Sequence, residues 1–159
     1  TAKWLQPRLA AYAASQPGLT FSLVAADEML DFTEANLDVA LRLSDRVGEH
    51  EGVQLGEPLF VTVEAANGGP DQRIEWPGCP SSDQPASIRV ADAGLAIEAA
   101  ATGFGRASVP LLLAEADLTA GRIRQVGDAV ASPLSYWLIA PLPQWRQKKV
   151  KALVEALTR

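Results

Sequence analysis

The stretch that decides the fold is Ser87-Ile-Arg-Val-Ala-Asp-Ala-Gly-Leu-Ala-Ile-Glu-Ala-Ala-Ala-Thr-Gly-Phe-Gly-Arg-Ala-Ser-Val-Pro110. It predicts a short strand, a helix that begins at Asp92, a stop at Gly103 and Gly105, and a second strand. This order is a β-α-β unit. The helix N-terminus carries free N–H groups and a partial positive charge, so it favours a polar or anionic guest. We interpret the unit as one wall of a small-molecule cleft.

The two glycines of Gly103-Phe-Gly105 also occur in dinucleotide-binding fingerprints, but here they follow a helix and do not open one. A pyrophosphate is held at the start of a helix, after a strand. The pattern therefore indicates a helix C-cap.

Length and charge limit the classes of protein to which this chain can belong. A chain of 159 residues is long enough for one compact domain, or for two small lobes that share one core. A hydrophobic fraction of 48% and a charged fraction of 21% are typical of a soluble globular protein. The net charge of −5 argues against a nucleic-acid footprint. No apolar run is long enough to cross a bilayer, and no signal-peptide pattern opens the sequence.

Catalytic and metal chemistry find little support. The single cysteine, Cys79, excludes an internal disulfide and a cysteine-based metal cluster, and it favours a reducing compartment. The single histidine, His50, lies in a charged loop, which disfavours a Cys79–His50 nucleophilic pair. The acidic residues lack metal-ligand spacing, and there is no Gly-x-Ser-x-Gly elbow or phosphate-binding loop. We predict no enzyme, no metal and no cofactor. A small α/β enzyme that uses Asp27, Asp92 or Tyr136 is the weaker alternative.

Periodicity and turn residues predict strands alternating with helices, and hence an α/β sheet with mainly parallel pairing. A helix ends near Ala14, and Asp27 is a predicted N-cap. The segments 44–56 and 65–85 read as loops, apart from a strand at 73–76. The remaining predicted strands are 19–24, 37–43, 58–63, 122–126 and 134–140, and the remaining predicted helices are 28–34, 110–116 and 143–157.

Several polar residues fall at predicted strand ends and helix starts. In open α/β sheets ligands bind beyond the carboxyl ends of the strands, so these residues are candidates for one crevice. For Asp27 and Asp92 the alternative is simple helix capping. Tyr136 offers both a flat surface and a hydroxyl. The full set is Thr1, Asp27, Ser44, Asp45, Asp92 and Tyr136.

Five blocks of the sequence follow one another in an order that is known from a protein family. They are residues 3–12 with Gln16-Pro17, Asp31-Phe32 with residues 37–42, residues 92–100 with Gly103-Phe-Gly105 and Val109-Pro110, Ala120-Gly-Arg122, and Ser135–Leu138 with residues 149–153. Together they resemble the effector-binding domain of LysR-type transcriptional regulators. Within that family the chain is most similar to the branch of glycine-cleavage activators and β-lactamase regulators.

The resemblance implies a type II periplasmic-binding-protein-like fold, with two α/β lobes joined by two crossover strands. Residues 1–62 and 140–159 would form lobe I, and residues 63–139 would form lobe II. The first strand of lobe I, which in the family precedes Thr1, is expected to be missing, and lobe II is expected to be shortened at 65–85. We expect no DNA-binding domain within these residues.

Carried over by position, the family's effector-binding residues correspond to Thr1, Ala26, Asp27, Arg42, Ser44, Asp45, Ala91, Asp92 and Tyr136. The family also dimerises with the first helix of one subunit antiparallel to the middle helix of its partner. The dimer-interface residues implied here are Trp4, Arg8, Ala11, Leu95, Glu98 and Ala99. The family often has a hydroxyl beside the aspartate of its middle block, whereas Ala91 and Ala93 have none.

The function that follows is that of a cytoplasmic ligand-sensing and oligomerisation module. A small effector would bind in the cleft between the lobes and alter DNA binding by a helix-turn-helix domain that these residues do not include. The expected partners are the effector, a second copy in a homodimer, or further copies in a tetramer, and DNA only through that other domain; no membrane is expected. The alternatives are a transporter's solute-binding protein of the same fold and a dimerisation-only module with a collapsed cleft.

Overall fold

The structure is a computed structural model that describes residues 2–25 and 30–159. The chain divides into two compact units. The central unit contains Thr1–Trp4 and Glu57–Pro133, and the terminal unit contains Leu5–Gly56 and Leu134–Arg159. These divisions fall after Gly56 and Pro133, earlier along the chain than the predicted lobe boundaries after residues 62 and 139.

The helices and strands alternate through most of the chain, and their bounds are as follows. The helices are α1 Ala2–Ala14, α2 Ala93–Ala101, α3 Leu111–Thr119, α4 Leu142–Trp145 and α5 Lys148–Thr158. The strands are β1 Ala40–Ser44, β2 Glu51–Leu55, β3 Leu59–Ala65, β4 Arg73–Glu75, β5 Ala86–Arg89, β6 Arg106–Pro110, β7 Ile123–Ala131 and β8 Ser135–Ala140. Nowhere in residues 2–25 and 30–159 does a helix combine the length and the apolar character that spanning a bilayer requires.

The central unit contains a five-stranded sheet in the order β5-β4-β6-β3-β7, with α2 and α3 packed against it. Strand β4 pairs in parallel with both β5 and β6, so β5, α2 and β6 form the predicted β-α-β unit. The side chains of Ala96, Ile97 and Ala100 on α2 are fully buried. Two of these three are alanines, and such small residues let the helix approach the sheet closely while Ile97 fills the core.

Local signals place both ends of α2, as predicted. Asp92 has an extended backbone, and its Oδ1 accepts a hydrogen bond from Leu95 N at 2.8 Å. At the other end Gly103 has a φ of +98°, and Phe104 N donates to the carbonyl of Ala99. These are the bonds of an N-cap and of a glycine-terminated helix, and they satisfy backbone groups that the helix leaves unpaired.

The terminal unit contains a three-stranded antiparallel sheet in which β8 lies between β1 and β2. Its small core is built on Phe32, Ile139 and Ala140, against which Leu37 and Trp137 pack. The helix α5 buries Val150 and Leu157 and leaves its lysines exposed, which is the amphipathic pattern expected of a surface helix.

The prediction of mainly parallel pairing was wrong. Four of the six strand pairings in the described part of the chain are antiparallel, and only those of β4 with β5 and with β6 are parallel. The reason is that β8 runs opposite to β1 and β2, and that both β6 and β7 run opposite to β3. The number of residues between two strands does not reveal this relative direction.

Five predicted elements also need correction. Residues 19–24 form no strand, and residues 32–36 form a turn where the predicted helix 28–34 would end. The Asp31 carboxylate accepts from Thr33 N and Glu34 N. The predicted loop 44–56 contains β2, and the predicted last helix is divided into α4 and α5. Strand β1 begins at Ala40, three residues after the start of the predicted strand 37–43, and is half-buried throughout. The predicted cap at Asp27 and the start of its helix lie outside the described residues.

Candidate functional site

Arg42 is the predicted effector-binding residue with the most distinctive surroundings. It lies on β1, and its Nη2 donates to the carbonyl oxygen of Leu30 at 3.3 Å. Its guanidinium carbon lies 5.9 Å from the centroid of the Phe32 ring, close enough for a cation–π contact. Its Nη1 is buried and has no hydrogen-bond partner among residues 2–25 and 30–159. A buried donor without a partner is costly, and an anionic ligand would satisfy it.

Ser44 and Asp45 follow Arg42 at the end of β1. The Ser44 hydroxyl donates to Asp45 Oδ1 at 3.4 Å and accepts from Arg46 N at 3.3 Å. The Ser44 carbonyl oxygen accepts from Trp137 Nε1 at 3.2 Å, which ties the strand end to β8. Asp45 is exposed. This strand end therefore has a fixed backbone and an accessible carboxylate.

Tyr136 does not share a face with Arg42. On β8 it lies directly opposite Leu43 of β1 and Leu55 of β2, whereas Arg42 lies opposite Trp137. Successive side chains of a strand point to opposite faces, so Tyr136 and Arg42 extend from opposite sides of the terminal sheet. Tyr136 is also buried, with 5% of its surface exposed. The two residues can contribute to one ligand only beyond the strand ends and not across the sheet.

Ala91 and Asp92 are exposed residues of the central unit, between β5 and α2. The Asp92 carboxylate is engaged as the N-cap of α2, which confirms the capping alternative for this residue. A ligand at this helix start would contact backbone groups and the remaining carboxylate oxygen. The other predicted effector-binding residues, Thr1, Ala26 and Asp27, lie outside the described residues.

The predicted dimer residues divide into buried and exposed sets. Trp4 and Ala99 are already buried within the chain and offer little surface to a partner. Arg8 and Ala11 are exposed on α1, and Leu95 on α2 is 49% exposed. The exposed set remains a prediction of contact with a second copy.

Glu98, also predicted at the dimer interface, belongs to a cluster of four charged residues in the central unit. Its carboxylate pairs with Lys3 and, at 2.8 Å, with Arg122 Nη2. Asp117 completes the cluster, 3.2 Å from Lys3 Nζ and 2.6 Å from Arg122 Nη1. The ions tie the first turn of α1 to α2, α3 and the residue before β7. The residues are far apart in sequence, and sequence reasoning missed the cluster.

The cluster lowers the pKa of Glu98 to about 2, mainly through the hydrogen bond from Arg122 and then through that from Lys3. A lowered carboxyl pKa stabilises the folded state at pH values above its ordinary pKa of 4.5, and this contribution is lost as the pH falls toward 2. At neutral pH the Glu98 carboxylate is therefore charged and already bound within the chain.

Metal binding finds no structural support within residues 2–25 and 30–159, where no group of three or more His, Cys, Asp or Glu side chains is arranged to hold an ion.

Solved structures with the same fold include transcriptional regulators and their effector or regulatory domains. The effector domain of the regulator AmpR of Pseudomonas aeruginosa superposes with a TM-score of 0.75 at 20% sequence identity, over 99% of this chain and 88% of that one. The regulatory domain of CrgA from Neisseria meningitidis, a LysR-type transcriptional regulator, gives a TM-score of 0.76 at 12% identity, over 98% and 91%. Full-length AphB, a virulence activator of Vibrio cholerae, gives 0.70 at 15% identity, over 97% of this chain and 62% of its own.

The chain matches no family sequence model and no curated protein sequence. At such low identities the superpositions show the fold alone. The fold is the periplasmic-binding-protein-like α/β fold of LysR-type effector-binding domains, as predicted.

Proposed function

We propose that the chain is the ligand-sensing and oligomerisation module of a LysR-type transcriptional regulator. The observation that carries the proposal is the match to effector domains over nearly the whole of both chains, 99% and 88% for AmpR. The five ordered sequence blocks support the same family. Binding of a small effector would shift the population of two conformations, and a dimer would transmit this shift to a joined helix-turn-helix domain. In this proposal the module is not an enzyme and works in the cytoplasm.

The proposed effector-binding residues are Arg42, Ser44, Asp45 and Tyr136 in the terminal unit, and Ala91 and Asp92 in the central unit. Arg42 has a buried guanidinium donor without a described partner, and this favours a carboxylate or another anionic group on the effector. The direct test is a thermal-shift screen of a metabolite library against the chain. We expect at least one compound with an anionic group to raise the melting temperature, and a screen in which none does so would contradict the proposal.

The variant Arg42→Gln tests the role of the guanidinium. A charged hydrogen bond contributes about 1.5–3 kcal/mol, so we expect the affinity for anionic compounds identified in the screen to decrease roughly 10- to 100-fold. Isothermal titration of both proteins measures the decrease. Arg159→Gln is the matched control, because Arg159 is exposed and its ion pair with Glu155 involves none of the proposed effector residues. Equal affinities of Arg42→Gln and the unsubstituted chain would exclude Arg42 from the site.

The proposed dimer is tested at Leu95. Its exposed side chain lies on α2, the helix that is expected to contact a second copy. A charge in a desolvated apolar contact is costly, so we expect Leu95→Glu to convert a dimer into a monomer in size-exclusion chromatography with light scattering. Val130→Glu is the control, because Val130 is similarly exposed on β7, away from the predicted interface. A dimer that survives Leu95→Glu but not Val130→Glu would assign the interface to the edge of the central sheet.

A further inference from the structure

The central unit contains a cavity of about 480 Å³. Its lining includes none of the predicted effector-binding residues that the structure describes. It lies where β4 and β5 end, and the loop at 76–85 closes one side of it. Its polar lining comes from Arg73, Glu75, Cys79, Ser81, Ser82 and Arg89. Its volume is within the range of small-molecule sites, roughly 300–1,000 Å³, and the carboxyl ends of parallel strands are where α/β sheets bind ligands.

The wall of the cavity is built around the side chain of Arg73. This guanidinium pairs with Glu75 Oε1 at 2.9 Å and lies 3.4 Å from Cys79 Sγ. It also donates to the carbonyl oxygens of Pro80 at 3.4 Å and Gln84 at 3.5 Å. One largely buried cation thus holds the loop at three points. The loop has little regular secondary structure, but these bonds hold it in place.

The charge of the lining is positive. Among the described residues that line it, Glu75 is the one carboxylate, and both Arg73 and Arg89 bind that carboxylate. The Arg89 side chain is 76% exposed and contacts Glu75 Oε2 through Nε at 2.7 Å, so its two terminal amino groups lie outside this ion pair. Two guanidinium groups and one carboxylate leave one positive charge in excess. The hydroxyls of Ser81 and Ser82 add hydrogen-bonding groups to the same wall.

We propose that this cavity is a second ligand site, which binds a small anion through carboxylate or phosphate oxygens. The free edge of the Arg89 guanidinium supplies the planar pair of donors that matches such oxygens, and the serine hydroxyls supply further contacts. The cavity adjoins the proposed effector residues Ala91 and Asp92 along the chain, because Val90 lines it, but the anion contacts proposed here use neither of them.

Cys79 makes the test specific, because it lines the cavity and is the only cysteine in the chain. Alkylation by iodoacetamide, a neutral reagent, is followed by intact mass while malonate or inorganic phosphate is titrated against sodium chloride of equal ionic strength. At an anion concentration about three times its Kd, about a quarter of the sites stay open, so we expect the alkylation rate to decrease about fourfold. Protection by malonate alone identifies a carboxylate site, and protection by phosphate alone identifies a phosphate site.

The decisive variant is Arg89→Gln, which should abolish the protection by either anion. Arg159→Gln is the matched control, because Arg159 is also 76% exposed and also pairs with a glutamate, Glu155. It should leave the protection unchanged. The proposal is overturned if neither anion slows alkylation more than chloride does, or if Arg89→Gln is protected as fully as the unsubstituted chain.

Discussion

Replacing Gly105 with alanine is expected to lower the free energy of unfolding by about 3 kcal/mol, through backbone strain of about 1–2 kcal/mol and crowding of about 1–3 kcal/mol. Gly105 has a φ of +149°, a region that residues with a Cβ rarely adopt. A Cβ at this position would lie 2.4 Å from the carbonyl oxygen of Gln72. That oxygen accepts a hydrogen bond from Arg106 N at 2.7 Å, so it cannot move away without breaking the bond that begins the β4–β6 pairing.

Gly103→Ala is the matched control for this effect. Gly103 also has a positive φ, +98°, but a Cβ there would have no atom within 4 Å. We therefore expect it to lose only the strain of the left-handed backbone, about 1 kcal/mol. Urea unfolding followed by circular dichroism measures both variants. Equal losses for the two glycines would show that the close approach of Gln72 contributes nothing to stability.

The parts of the fold that could be predicted are those that depend on neighbours in sequence. The helix α2 is specified by the Asp92 cap, the run of alanines and the glycine stop, all of which act within a few residues. The strand predicted at 19–24 failed for the opposite reason. Its alternation of apolar and polar residues describes a side-chain pattern, but a strand exists only where a second strand supplies its hydrogen bonds.

Strand β2 shows the same dependence in reverse. Its sequence, Glu-Gly-Val-Gln-Leu, carries a charge and a glycine and reads as loop. Pairing with β8 makes it a strand, with Val53 opposite Leu138 and Leu55 opposite Tyr136. A Cβ at Gly52 would lie 2.3 Å from the Val47 side chain and 2.9 Å from that of Ile139. The glycine is thus required by a close approach that only the folded chain reveals.

The sequence predicted which residues belong to the candidate site, but not the contacts that they make. Family resemblance selected Arg42, but its buried Nη1, which has no partner among the described residues, depends on how Leu30 and Phe32 fold over it. The cavity beside Arg73 could not be predicted, because Arg73 contacts Cys79 and Gln84 only in the folded conformation of the loop at 76–85. Spacing along the chain does not encode these contacts, since they depend on side-chain directions in an irregular segment.

The second large effect is expected at Glu64, a charged residue that is only 2% exposed in the middle of the central sheet. Its Oε2 accepts from Arg124 at 2.6 Å and its Oε1 from Arg106 at 3.2 Å. Removing one partner of a buried ion pair costs about 3–5 kcal/mol. In Glu64→Leu the arginines left without this partner are 34% and 57% exposed and water can solvate them, so we expect a loss of less than about 3 kcal/mol. Glu64→Gln keeps an acceptor oxygen and should lose less.

The pH dependence of this loss provides a second measurement. The hydrogen bond from Arg124, and then that from Arg106, lower the pKa of Glu64 below its ordinary value of 4.5. The stabilising contribution is therefore complete above that value and disappears as the pH falls through the lowered pKa. We expect the difference in free energy of unfolding between the unsubstituted chain and Glu64→Gln to be constant near neutral pH and to shrink in acid.

The variant Asp71→Asn distinguishes the effect of burying an ion pair from the effect of ion pairing alone. Asp71 also binds Arg106, at 3.3 Å, but its side chain is 75% exposed. Exposed pairs contribute about 0–1 kcal/mol, so the control should change the stability little and its effect should fade with added salt. The Glu64 pair is shielded from solvent and should keep most of its contribution at high salt. If Glu64→Leu cost no more than Asp71→Asn, the sheet would not depend on the buried carboxylate, and the packing of β3 between β6 and β7 would alone account for its stability.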